Sequence, residues 1–147
     1  VTVTGADAVV PDASVLATVV FGEPRAEEAV GLLAGKSLVA PGLLRYEIGN
    51  IARTKAARAP EDVGRISAAF DYFLDLSIRW VAPDPVLTLN LALERNVTYY
   101  DAAYLWLSRR LALPLLTFDE HLLSAPLASH DKALRQAAQA TGIQLLS

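Results

Sequence analysis

The chain predicts a three-layer α/β domain built on a central, mostly parallel sheet, and three features carry that reading. Short apolar runs of strand length alternate with segments whose apolar residues recur at helical spacing. Gly, Pro and Asn stand at the boundaries between them. A chain of 147 residues that is 53% hydrophobic can bury one sizeable core and has no length left for a second ordinary domain. One domain over residues 1–147 is therefore expected, with residues 1–7 treated as non-native or flexible.

The elements follow in order. "AVVPDA" (8–13) reads as a buried strand, and Ser14 to Phe21 continues with helix-compatible residues until Gly22 and Pro24 interrupt. From Arg25 to Leu33, Glu27 and Glu28 alternate with apolar residues at helical spacing, and Gly35 is the stop. "SLVAPG" (37–42) is a second strand. Residues 43–58 place Leu43, Leu44, Ile48 and Ile51 on one face of a helix whose basic end opposes its dipole. Pro60 and two acids open a helix over 59–76, and "IRWVAP" (78–83) supplies a strand. Helices are expected at 85–95 and 99–112, divided at Asn96, then a strand "LPLLTF" (113–118), a helix near 131–141, a stop at Gly142 and a terminal strand "IQLLS".

The 13 basic and 16 acidic residues give a net charge of −3, so the whole-protein field does not mark a nucleic-acid binder, and a polyanion would need local cations or metal ions. Without cysteine there is no disulfide framework, thiolate site or thiol nucleophile, which fits a reducing cytoplasm. "VLATVVF" is too short to span a bilayer, and "VTVTGADAVV" lacks the positive start of a signal peptide.

In parallel sheets, sites form beyond the carboxyl ends of the strands. Asp12 ends the first strand and Asp119 ends "LPLLTF"; Glu47 lies beside the apolar face of its helix, and Asp101 opens "DAAYLWLSRRLA". Converging carboxylates repel one another and raise their pKa values, an arrangement that a divalent cation relieves. Oxygen-only ligands suit Mg²⁺ or Mn²⁺.

"VVPDASVL", "APGLLRYEIGNI", "VTYYDAAYLWLSRRLALPLLTFD" and "GIQLL", taken in this order, resemble the PIN-domain ribonucleases, above all the VapC-type toxins of toxin–antitoxin pairs. The likeness covers nearly the whole chain. It implies a PIN-like fold and a metal-dependent endoribonuclease held silent by a cognate antitoxin. Asp12, Glu47, Asp101 and Asp119 would be the acidic metal-site residues. Ser14 would bind a metal-bound water or a phosphate oxygen, and Asn50, one turn after Glu47, would orient that carboxylate or a ligand. The resemblance also implies hydrolysis by water, leaving a 5′-phosphate and a 3′-hydroxyl, together with a homodimer and antitoxin contact on the amphipathic helices of the first third.

Other readings stand beside this one. The segment after the fourth strand has two similar starts, "TFDEHL" and "SHDKAL", so Asp119 or Asp131 would be the fourth acid; Asp119, directly at a strand end, is favoured. Asp12, Ser14 and Asp101 each suit a helix cap, and Thr117 with Glu120 fits a capping box. His121 and His130 lack a paired ligand at helical spacing and read as surface residues. Arg45, Arg53, Lys55, Arg58 and Arg65 suit either RNA backbone or ordinary ion pairs, and Tyr99, Tyr100, Tyr104 and Trp106 suit either base stacking or core and dimer contacts. A haloacid-dehalogenase-like phosphatase needs an acid where Ser14 stands, and a receiver domain needs an early acid pair that is missing. A non-catalytic PIN module for protein or RNA binding is the remaining alternative.

Overall fold

The computed structural model describes residues 7–120, residue 122 and the strand Ile143–Leu145. The expected helix at 131–141, the alternative acid Asp131, and His121 and His130 lie outside the described residues.

Five strands, β1 (Ala8–Pro11), β2 (Ser37–Ala40), β3 (Ile78–Trp80), β4 (Leu115–Thr117) and β5 (Ile143–Leu145), form one sheet in the order β3-β2-β1-β4-β5. Every neighbouring pair is parallel. The α/β class with a parallel sheet expected from the alternating runs is therefore what the chain adopts. The chain runs outward on one side of β1 and returns on the other, so a topological switch point, where such folds open a crevice, lies between β1 and β4.

Pro11 sits in the central strand, where a missing N–H normally breaks a ladder. The register explains its tolerance. Alternate residues donate to opposite neighbours, and Val10 and Asp12 both donate to the β4 side, to Pro114 O at 2.9 Å and Leu116 O at 3.0 Å. Pro11 would thus donate toward β2, but that pairing runs only through Ala8↔Ser37 and Val9↔Leu38.

Helices α1 (Ala13–Val20), α2 (Ala26–Leu33), α3 (Leu43–Arg58), α4 (Val63–Asp75), α5 (Pro85–Arg95) and α6 (Tyr99–Leu111) flank the sheet. The single helix expected over 59–76 is divided: Pro60–Asp62 form a 3-10 turn and α4 begins at Val63. Arg25, expected as the first residue of α2, instead precedes it with φ 76, its guanidinium paired with Glu28 at 3.0 Å and lying over the Phe118 ring at 3.9 Å. Asn96 turns the chain between α5 and α6 in the left-handed region, φ 52, which Asn tolerates better than most residues.

Both sheet faces are packed. Val10 belongs to the larger core cluster with Leu44 and Ile48 of α3, Phe73 of α4 and Leu105 and Leu107 of α6, whereas Val9 joins Val15, Ala29 and Leu116. Side-chain alternation along β1 accounts for the split. Each fully buried Leu or Val contributes about 1.5–3 kcal/mol relative to exposure, so α3 and α6, which carry two of the candidate acids, are fixed on the sheet by their apolar faces. Among the described residues no helix is long and apolar enough to cross a membrane.

The end of α6 carries one local strain. Ala112 caps it at φ 53, ψ 45, where its N–H meets Ser108 O and Arg109 O. A side chain in that region costs roughly 1 kcal/mol that glycine does not incur. Ala112→Gly is expected to raise the unfolding free energy by up to about 1 kcal/mol in urea denaturation; an unchanged or lower midpoint would show that the turn is not strained.

Candidate active site

Asp12 leaves β1 and becomes the N-cap of α1, its Oδ1 accepting the Val15 N–H at 3.2 Å. The cap anticipated from sequence is present. The Ser14 hydroxyl donates to the same oxygen at 2.5 Å, and the Thr117 hydroxyl donates to Oδ2 at 2.5 Å. Both hydroxyls are held from behind by β4's exit, since Phe118 N–H donates to Ser14 Oγ and Asp119 N–H to Thr117 Oγ1, each at 2.9 Å. Asp12 is only 7% exposed. Burial raises its pKa above the ordinary carboxylate value, outweighing the hydrogen bonds from Ser14, Thr117 and Val15 that favour the charged form.

Glu47 projects from α3 beside the buried Leu44 and Ile48. Its Oε1 accepts the Tyr104 hydroxyl at 2.5 Å, which ties α3 to α6. Partial burial raises the Glu47 pKa, and the negative charges of Asp12 and Asp101 raise it further against the Tyr104 bond. Tyr104 is buried, and burial together with Glu47, Asp12 and Asp101 pushes its phenol far above the usual value, so it stays a donor. Asp12, Glu47 and Asp101, 89 residues apart at the extremes of the sequence span 12–101, are therefore brought within electrostatic reach of one another around Tyr104.

The capping reading of Asp101 is corrected. Thr98 is the N-cap of α6, accepting the Asp101 N–H at 3.1 Å, and Asp101 falls in the first turn, where the helix dipole favours its charge. Asp119 stands past the end of β4, its Oδ1 accepting Leu122 N–H at 3.4 Å and its own N–H bound to Thr117. Thr117 does not form the anticipated capping box; its hydroxyl links the two strand exits. Asn50 is exposed, and among the described residues no hydrogen bond joins it to Glu47. Of the basic side chains, Lys55 pairs with Glu23 at 2.7 Å, Arg65 with Asp62 at 3.1 Å, and Arg45 lies over the Trp80 ring at 4.1 Å.

Thr117 and Tyr104 are the residues that sequence reasoning did not place in the site. The signal for Thr117 was a hydroxyl closing an otherwise apolar strand, and the register Pro11↔Leu116 sets it beside Asp12. For Tyr104 it was the spacing of three residues from Asp101 on one helix.

The acids offer an all-oxygen donor set for a divalent cation. A carboxylate presents about four acceptor positions. Asp12 has both oxygens engaged, by the Ser14 and Thr117 hydroxyls and the Val15 N–H, with the Ser14 N–H also favouring its charged form, and Glu47 uses only Oε1 among the described residues. No Lys or Arg forms an ion pair with either acid among the described residues. Among those residues no group of three His, Cys, Asp or Glu side chains is arranged to hold a metal ion by itself. Mg²⁺ does not require one, because it keeps several waters and commonly takes one or two carboxylates with substrate phosphate. The donor chemistry fits such an ion.

The PIN domain family model matches residues 9–128. Ribonuclease VapC3 of Pyrobaculum aerophilum is 31% identical over 118 residues, covering 77% of this chain and 90% of that protein. Ribonuclease VapC1 of Mycobacterium tuberculosis is 34% identical over 99 residues, covering 65% of this chain and 73% of that protein. Among solved structures, PAE2754 from Pyrobaculum aerophilum has a TM-score of 0.66 at 24% identity, over 92% of this chain and 90% of that one. The Mycobacterium tuberculosis VapC20, a Sarcin-Ricin loop cleaving toxin, has a TM-score of 0.57 at 17% identity, over 83% and 98%. The two structural likenesses speak for the fold, and the family model, whose match spans Asp12, Glu47 and Asp101, together with the two sequence relatives makes this chain a member of the PIN-domain family, of the VapC type.

Proposed function

We propose that the protein is a metal-dependent endoribonuclease and the toxin of a VapBC-type toxin–antitoxin pair acting in the cytoplasm. The observation that carries this reading is the gathering of Asp12, Glu47 and Asp101 around Tyr104 beside the switch point, with Asp12 and Glu47 pushed toward protonation and no described Lys or Arg paired with them. The names of the relatives, ribonucleases VapC3 and VapC1, support it.

Asp12, Glu47 and Asp101 would hold Mg²⁺ or Mn²⁺, with Asp119 as the fourth acid. When bound, such an ion neutralises phosphodiester charge and lowers the pKa of water. The chain's own groups set the geometry. Ser14, Thr117 and the Val15 N–H hold the Asp12 carboxylate in one orientation, and Tyr104 holds Glu47 with Oε2 facing no hydrogen-bond partner among the described residues. Glu47 Oε2 is suited to take one proton from the attacking water as its oxygen bonds to phosphorus; the P–O3′ bond breaks and the leaving 3′ oxygen takes a proton from solvent, giving a 5′-phosphate and a 3′-hydroxyl.

A homodimer and an antitoxin complete the reading. Val86, Leu89 and Leu93 repeat along α5 at helical spacing and are 67%, 49% and 71% exposed, an apolar stripe suited to a second copy. The antitoxin would lie on the amphipathic helices of the first third and send a basic side chain toward the acids. A second reading is a non-catalytic PIN module that keeps the fold and binds RNA or protein without cutting.

Three measurements test this reading. Purified protein is expected to cut single-stranded or loop RNA with Mg²⁺ or Mn²⁺ and not with EDTA, and Asp12→Asn and Asp101→Asn to lower kcat by at least about a hundredfold, with Thr117→Val losing roughly 10–100-fold; variants that cut as well as the parent would end the nuclease reading, and a parent that never cuts favours the binding module.

In EDTA, Asp12 and Glu47 hold protons more tightly folded than unfolded, so thermal stability is expected to fall as pH climbs from the ordinary carboxylate range through their raised values. Added Mn²⁺ reverses that loss and raises Tm most at the upper end. A Tm gain independent of pH and retained in Asp12→Asn would place the ion elsewhere.

Leu93→Arg is expected to halve the mass seen by light scattering on a sizing column while leaving the circular dichroism spectrum unchanged; a mass equal to the parent's would remove α5 from the interface.

A further inference from the structure

Next to the acids, at the same end of the sheet, lies a cleft of about 190 Å³ lined by Pro41, Gly42, Leu43, Pro83, Tyr99 and Tyr100. The same two helices build both features. Leu43 is one turn before Glu47 on α3, and Tyr100 immediately precedes Asp101 on α6. We propose that this cleft receives the nucleobase adjoining the phosphate that is cut, with Tyr100 as the stacking platform; the inference rests on the ribonuclease reading and names the part of the substrate that reading leaves undescribed.

The chemistry of the lining selects the ligand. Among the described residues no Lys or Arg lines the cleft, which does not suit a phosphate. Proline rings and a glycine leave flat, apolar walls, and a Cβ added at Gly42 would meet nothing within 4 Å. Tyr100 is 63% exposed and forms no hydrogen bond among the described residues, so its ring face is available. Tyr99, 45% exposed, is steadied by its hydroxyl donating to Pro85 O at 3.4 Å. Tyr104 and Trp106, the other aromatics of α6, pack into or against the core and are not part of this surface. An aromatic face beside a flat apolar wall stacks any base, and single-stranded or loop RNA supplies bases already out of their helix. A strand whose phosphate lies against Asp101 must direct its neighbouring base somewhere within one nucleotide, and the cleft is built from the first turns of the same two helices that carry Glu47 and Asp101.

The test compares parent, Tyr100→Ala, Tyr100→Phe and Tyr100→Trp on short single-stranded RNAs that vary at the nucleotides flanking the cut. Tyr100→Ala is expected to raise KM roughly tenfold while kcat stays within about threefold, and Phe or Trp to restore KM to within about twofold. The same ranking is expected for affinity of the uncut oligonucleotide in EDTA, read by fluorescence anisotropy. Thermal melting checks that each variant is folded, which the exposure of Tyr100 favours. Parental KM and affinity in folded Tyr100→Ala would overturn the proposal, as would a change in molecular mass with unchanged RNA affinity, which would make the cleft a protein contact. A parent that cuts no RNA defeats the ribonuclease reading alone, because the EDTA binding arm still judges the cleft.

Discussion

A buried carboxylate at the end of a central strand is the constraint on which the site depends. Asp12 is placed by backbone pairing to β4, by its duty as the cap of α1, and by two hydroxyls that are themselves held by backbone N–H groups of β4's exit. Each of these contacts alone is worth about 1 kcal/mol. Together they fix both oxygens across the crevice where the chain reverses direction, and the remaining acids are arranged relative to that fixed point.

That arrangement opposes stability. Asp12 is held out of water, and Glu47, itself partly buried, also feels the charges of Asp12 and Asp101, so both carboxyls hold a proton more tightly than usual. Tyr104 responds in the same sense: burial, and then the charges of Glu47, Asp12 and Asp101, keep its phenol protonated and therefore able to donate to Glu47. The apolar faces of α3 and α6, with Leu44, Ile48, Leu105 and Leu107 fully buried, offset the repulsion and hold the two helices in place.

Most of the fold was legible because its signals are local: β1, β2, β4, α3, α5 and α6 follow apolar runs, helical spacing and the Asn96 turn. The strands are shorter than their apolar runs, since the sheet pairs only part of each run and the remainder forms strand exits such as Asp12, Pro41 and Phe118. Asp12, Glu47 and Asp101 were legible by position in the pattern, whereas Thr117 was not, because its role exists only once β4 lies beside β1 in a particular register. Tyr104 was hidden for a related reason. A tyrosine on the apolar face of a helix reads as core, and it is core; its hydroxyl becomes part of the site only through α3, 57 residues away in sequence. Asp101 has the residue type of a cap, but Thr98, three residues earlier, takes that duty.

The contrast between the anchoring of Asp12 and that of Glu47 has a mechanical consequence. One acid is riveted to the sheet by main-chain groups, while the other rides on a helix and meets α6 through a single phenol. Any force that displaces α3 along the surface will therefore shift one jaw of the pocket and leave its opposite jaw at rest. The molecule is built like a vice with one stationary cheek, and its grip can be altered from the outside of a helix without loosening the sheet.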